Sequence, residues 1–276
     1  MPRFSGHRVT ICAPKTKYFE LQSTPIQPIS TLKGKQKMSA RTQEQTLHKN
    51  LKAIAATNVE LAKRLCLPVR DDQICIGEDG ETLYQYGRIP RKLNLSSEEL
   101  PQPSTLAANR SDMVIAGVGL GEAVDQTLRL SVATVRAWER DPLLLRLALS
   151  VHDWSEAILS ERLVLYLGAD CVKIPHSARQ GLWCHPVLEG IYGVEMPLLR
   201  KGIKAKRAFV CAGELFVRDI AQSLEEMGYS VYTWDIEGVA LDELSHTVHT
   251  FEPEVVFSVN FSNGLSEACA DFGIPL

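Results

Sequence analysis

No apolar run in this chain is long enough to cross a membrane. The longest, MVIAGVGLG at residues 113–121, is about half the ~20 residues a spanning helix needs, and glycines interrupt it. Positive charge is scarce beyond the amino-terminal arm. Residues 1–40 carry seven Lys or Arg against the single acid Glu20, so the remaining 236 residues hold a net charge of -9 within an overall -3. A body of that sign disfavours nucleic acid as its partner, because neutralising a phosphate backbone takes clustered positive charge. None of the seven cysteines forms a C-x-x-C pair, and no apolar signal core precedes them, so zinc and a disulfide framework are not expected; reduced thiols and a cytoplasmic location are. Cys184 and His185 are adjacent, but no further ligand types cluster around them, and no metal is expected.

What the chain has is the composition of a globular protein: 276 residues, 45% hydrophobic, 23% charged, with a mean hydropathy of -0.06. This is length for about two domains. Residues 1–40 mix Pro25, Pro28 and lysines without a period and read as a disordered basic arm; Met38, followed by SARTQEQTL, is expected to be the true start of translation. A helical stripe of Leu47, Leu51, Ile54, Leu61 and Leu65 follows, with a capping-box spacing at Thr42 and Gln45 and a stop at Pro68. QICIGEDGETLYQY then reads as two short strands around Asp79-Gly80, a dipeptide suited to tight hairpins. Residues 87–111, with Pro90, Pro101 and Pro103, read as loop, so 41–111 is a helix-plus-hairpin lead-in and linker.

From residue 112 the pattern is strand, helix, strand, helix, strand. The strands are 113–116, 133–138 and 162–168, and Asp141-Pro142 supplies a cap and first-turn proline for the second helix. Residues 171–205 read as a connection with one short helix near 189–200, and Lys201, Lys204, Lys206 and Arg207 as a solvated linker. A second unit begins at 206: strand 207–212, helix 213–227, strand 229–235, helix 241–251, strand 255–260, helix 263–272, with GIPL opening another strand. The expected fold is α/β with two Rossmann-like parallel-sheet units, 112–205 and 206–276, the second incomplete, so the chain reads as truncated or as a fragment.

Two strand-end clusters are candidate ligand sites. In the first, Gly117, Gly119 and Gly121 turn from strand to helix, where helix amides and the positive end of the dipole favour phosphate, ribose or carboxylate. Glu139, ending the next strand, is placed to accept from ribose hydroxyls, and Asp170, ending the third, to face the same crevice. The competing reading is that the glycines serve only a tight turn. The second cluster is Gly213, Glu214, Asp235, Asn260 and Asn263 at the corresponding ends of the other sheet; polar residues are equally the commonest loop residues.

VCAGELFVRDIAQSLEEMGYSVYTWDI and FEPEVVFSVNFSNGL, within 208–276, resemble the N-terminal half of CgeB-like glycosyltransferases of the spore-maturation type. Residues 50–170, with VIAGVGLGEAV, WERDPLLLRLAL and LVLYLGAD, resemble the N-terminal region of motility-associated factor (Maf) glycosyltransferase-like proteins. The resemblance implies a two-Rossmann GT-B architecture, a nucleotide-sugar donor, a small-molecule, glycan or protein acceptor, and a donor-binding half absent from these 276 residues. It assigns no catalytic base. The glycine turn and following acid describe an S-adenosylmethionine-dependent methyltransferase pocket equally, although no N-P-P-Y-like motif follows. A non-catalytic nucleotide- or sugar-binding accessory module is the third reading.

Overall fold

In the computed structural model the described residues are 40–69, 72–86, 89–102, 112–130, 134–212, 216–235, 241–258 and 265–275. The apolar stripe of the lead-in forms two helices, α1 (Ala40–Thr57) and α2 (Val59–Arg64). They break at Asn58, whose side chain caps α2 by accepting from Leu61 N at 3.0 Å. Since α1 already includes Ala40 and Arg41, Thr42 lies inside the helix and does not cap it as the spacing predicts. The five stripe residues, four leucines and one isoleucine, are all buried.

The hairpin forms as β1 (Ile74–Ile76) and β2 (Thr82–Tyr86), antiparallel with Ile74 opposite Tyr84, and Gly80 takes φ +78° in the turn. The expected loop after it contains a third strand, β3 (Ile89–Lys92), paired with β2. All four of its residues are exposed, so it carries no alternation to read, and its Pro90 is tolerated because β3 is an edge strand.

The first parallel sheet contains β4 (Asp112–Ala116), β5 (Thr134–Glu139), β6 (Leu163–Leu167) and β7 (Leu182–Cys184), in the order β6-β5-β4-β7. Between them lie α3 (Glu122–Leu130), α4 (Pro142–Val151), α5 (Ser155–Leu159) and two 3-10 turns, Gly168–Lys173 and His176–Gly181. Asp141 caps α4 as expected, accepting from Leu143 N at 2.8 Å. β7 lies in the expected connection, where LWC is too short to show a period. The single helix expected near 189–200 is two, α6 (Pro186–Ile191) and α7 (Met196–Lys201), each with a proline in its first turn.

The second parallel sheet has β8 (Arg207–Ala212), β9 (Ser230–Asp235) and β10 (Val255–Phe257), in the order β10-β8-β9. Its helices are α8 (Val217–Glu226), α9 (Leu241–Phe251) and α10 (Leu265–Asp271). The described part of GIPL forms no strand; it meets β10 where Val256 N donates to Pro275 O at 2.9 Å. The fold is thus α/β, with two Rossmann-like parallel-sheet units behind a helical and hairpin lead-in.

Strand alternation divides the core. Met113, Ile115, Val135 and Ala137 pack on one side of the first sheet with α1, while Val114, Ala116 and Trp138 face the other. That second side is continuous with Tyr84 and Leu93 of the lead-in and with Phe209, Tyr232, Phe251 and Val256 of the second unit. One apolar cluster therefore runs across both sheets. The opposite face of β8, Ala208 and Val210, packs with Ala221 and Leu224 of α8.

Candidate functional site

In open α/β sheets the ligand crevice lies off the carboxyl ends of the strands, where strand order reverses. In the first sheet that point falls between β4 and β7. The β4 turn has Gly117, Gly119 and Gly121 at φ +78°, +55° and +92°. The structure sets Glu139 against this turn at Gly119, and the space around the three glycines is filled. A Cβ on Gly119 would lie 2.8 Å from the His185 ring, and one on Gly117 would lie 2.9 Å from Leu188 Cβ. One on Gly121 would lie 2.7 Å from His152 Cδ2. These glycines are needed for close packing.

Glu139 occupies the other side of the turn. Its Oε2 accepts from Val118 N at 2.8 Å and Gly119 N at 3.2 Å. Its Oε1 accepts from Arg140 N at 2.8 Å, Asp141 N at 3.1 Å and the Tyr192 hydroxyl at 2.5 Å. The amides expected to meet a ligand meet this carboxylate, and the acid expected on a ribose is turned inward and fully buried. Burial pushes the Glu139 carboxyl up to about 7, against the opposing hydrogen bonds from Tyr192 and the backbone. His185, also buried, caps α6 through Nδ1, which accepts from Val187 N at 3.3 Å. Burial lowers its pKa to about 4.

The rest of this edge is covered from two directions. On the hairpin side the Tyr84 hydroxyl donates to Asp141 Oδ2 at 2.6 Å, and the Arg140 guanidinium stacks over Tyr86 at 5.2 Å and Tyr192 at 4.3 Å. On the side of the second sheet, Arg140 pairs with the buried Glu195 at 3.5 Å, whose Oε1 accepts from Thr233 N at 3.1 Å. Trp138 Nε1 donates to Gly168 O at 2.7 Å, closing the end of β6.

Among the described residues Asp170 shares no hydrogen-bond partner with Glu139. It ion-pairs with Arg64 and with Lys173, the latter at 2.6 Å, and lies 3.2 Å from His246 Nε2. Burial alone would raise its pKa, but the hydrogen bond with His246 and the charges of Arg64 and Lys173 hold its carboxyl well below the usual carboxylate range.

Of the second candidate cluster, Asp235 ends β9 opposite Ala212 at the end of β8. Gly213, Glu214, Asn260 and Asn263 lie outside the described residues. The order β10-β8-β9 sets the reversal point of this sheet between β8 and β10. A cleft of about 300 Å³, lined by Lys201, Lys204, Gln222, Glu225 and Tyr229, lies at the opposite, amino-terminal edge of the sheet. Among the described residues no cluster of His, Cys, Asp and Glu has the makings of a metal site, and no helix is long and apolar enough to cross a membrane.

Sequence reasoning missed Arg64, Arg140, His185, Tyr192, Glu195 and Glu243. Arg64 had a signal: it falls three residues after Leu61 on the buried stripe, where a charge implies a buried partner. His185 had none, because its place depends on β7.

No protein-family profile matches the chain, and no curated protein does. Among solved structures it is similar to the MAf glycosyltransferase from Magnetospirillum magneticum AMB-1, at 12% identity and a TM-score of 0.39, over 84% of this chain and 52% of that one. The chain thus spans about half the length of that protein.

Proposed function

We propose that the chain is a glycosyltransferase-like protein of the CgeB/Maf kind. Its first parallel-sheet unit is a scaffold, and its ligand crevice is the carboxyl edge of the second sheet. The observation that carries this reading is the pair of strand orders. The reversal point of the first sheet, between β4 and β7, holds His185 against Gly119, whereas that of the second sheet falls between β8 and β10, the strands that lead to Gly213, Glu214, Asn260 and Asn263. The class of ligand, a nucleotide-sugar or its sugar, comes from the sequence resemblance of residues 208–276.

The methyltransferase reading drew on the glycine turn and Glu139, and a carboxylate holding the turn's amides takes that support away. Thermal-shift titration of the full chain with nucleotide-sugars, their free sugars and S-adenosylhomocysteine tests the choice. A midpoint raised by a nucleotide-sugar or its sugar, and lost in Asp235→Asn, is the expected result. Stabilisation by S-adenosylhomocysteine alone, or by none of these ligands, contradicts the reading.

A further inference from the structure

One guanidinium joins the lead-in helix to both sheet units. Arg64, at the end of α2, has a side chain only 4% exposed. Its Nε donates to Glu243 Oε2 at 2.6 Å, and its Nη2 donates to Glu243 Oε1 at 2.5 Å and to Leu167 O at 3.0 Å. Its Nη1 donates to Asp170 and lies 2.8 Å from His246 Nε2. Glu243 and His246 stand on the first two turns of α9, and Asp170 in the turn after β6. Three segments distant in sequence, around 64, 170 and 243, therefore converge on one planar fork.

That geometry is specific. A guanidinium presents a planar fork of parallel donors to one carboxylate while its other N–H groups reach a second, a fixed geometry that the single nitrogen of an ammonium lacks. Packing leaves little slack: a Cβ on Gly168 would lie 3.3 Å from the Tyr232 hydroxyl and 3.6 Å from both Arg64 Nη2 and Glu243 Oε1. Without Arg64, the Asp170 and Glu243 carboxylates, both under a tenth exposed, would lose their common counter-charge. α9 follows β9, so its first turns rise from the carboxyl edge of the second sheet.

We propose that Arg64 is a positioning residue that fixes the amino-terminal half of α9 on the first unit, and with it the carboxyl edge of the second sheet. The effect on ligand affinity rests on the function proposed above; the effect on α9 does not.

Hydrogen exchange of the full chain, read by mass spectrometry, tests the role in Arg64→Met, Arg64→Lys and the charge-free triple variant Arg64→Met/Asp170→Asn/Glu243→Gln. In Arg64→Met, exchange in peptides covering α9 accelerates at least about tenfold more than in those of β4, β5 and β6, the pattern of local opening on top of any shared loss of stability. Arg64→Lys falls between. The triple variant recovers the thermal midpoint, because no buried charge is left unpaired, yet α9 stays fast. Unchanged exchange in α9, equal acceleration of every element, or restored α9 protection in the triple variant would overturn the proposal. If a nucleotide-sugar stabilises the wild type, Arg64→Met weakens its binding about tenfold; unchanged affinity would sever α9 from the ligand edge. A wild type that binds no nucleotide-sugar counts against the function above, and the exchange result still decides the role of Arg64.

Discussion

Glu139 and His185 approach Gly119 from different sides and are displaced in pKa in opposite directions, so their effects on stability oppose each other. Glu139 is raised from its ordinary 4.5 to about 7, so between those values the folded chain holds a proton that the unfolded chain has released, and stability falls as pH rises. His185 is lowered from 6.5 to about 4, so over that window the unfolded chain holds the extra proton, and stability rises with pH. Each effect is on the order of 3 kcal/mol at full extent. Urea unfolding of the wild type across pH 4.5 to 6.5 is therefore expected to show little slope from this pair. Glu139→Gln should unmask a rise with pH, and His185→Asn, which keeps a capping acceptor, a fall. Parallel curves for all three proteins would contradict the assignment. The position of Glu139 at the end of β5 was legible in the sequence. Its inward turn was not, because that depends on Tyr192, from the end of a short helix in the connection whose facing partner the sequence does not show.

Elements declared themselves where a cap, a turn residue or a long stripe marked them. Asp141-Pro142 reads directly as the start of α4, and the structure adds a second duty, since the Asp141 carboxylate also accepts from the Tyr84 hydroxyl. Asp141→Ala should therefore cost more than the ~1 kcal/mol of a lost cap, because the Tyr84 hydroxyl loses its partner as well. A double cycle with Tyr84→Phe, read by urea unfolding, should return a coupling energy of about 1 kcal/mol; a coupling of zero would contradict the docking of the hairpin through this pair. Asn50 is the counterpart on α1. It is fully buried, donates to Leu149 O and His152 O at 2.7 Å each, and accepts from Trp154 N at 2.9 Å. Asn50→Leu leaves three backbone groups unpaired and should destabilise by several kcal/mol, at about 1–3 kcal/mol for each buried group. A loss under about 1 kcal/mol would refute that role. β3 and β7 escaped the sequence reading for physical reasons: one is wholly exposed and the other three residues long, so neither shows a period of two.

For the whole molecule, both expected parallel sheets form, β4 to β7 within 112–184 and β8 to β10 within 207–257. What composition and periodicity cannot carry is how the units meet. The carboxyl edge of the first sheet, the expected crevice, is covered by the hairpin through Tyr84 and Tyr86 and tied to the second sheet through Glu195 and Thr233. Trp138, Tyr192, Phe209, Tyr232 and Phe251 share one apolar cluster. With the core and the Arg64 ion pairs both crossing the division, calorimetry should show a single cooperative transition. Phe251→Ala should lower both units together, by about 3–5 kcal/mol; two separated transitions in the wild type would contradict a shared core.

The most direct test is the amide spectrum of isotope-labelled protein during titration with the nucleotide-sugar that best stabilises it. Shift changes should gather at the carboxyl ends of β8, β9 and β10 and leave Val118 and Gly119 in place. Changes centred on Val118 and Gly119, with the second sheet silent, would mean that a ligand displaces Glu139, and the scaffold reading of the first unit would be wrong.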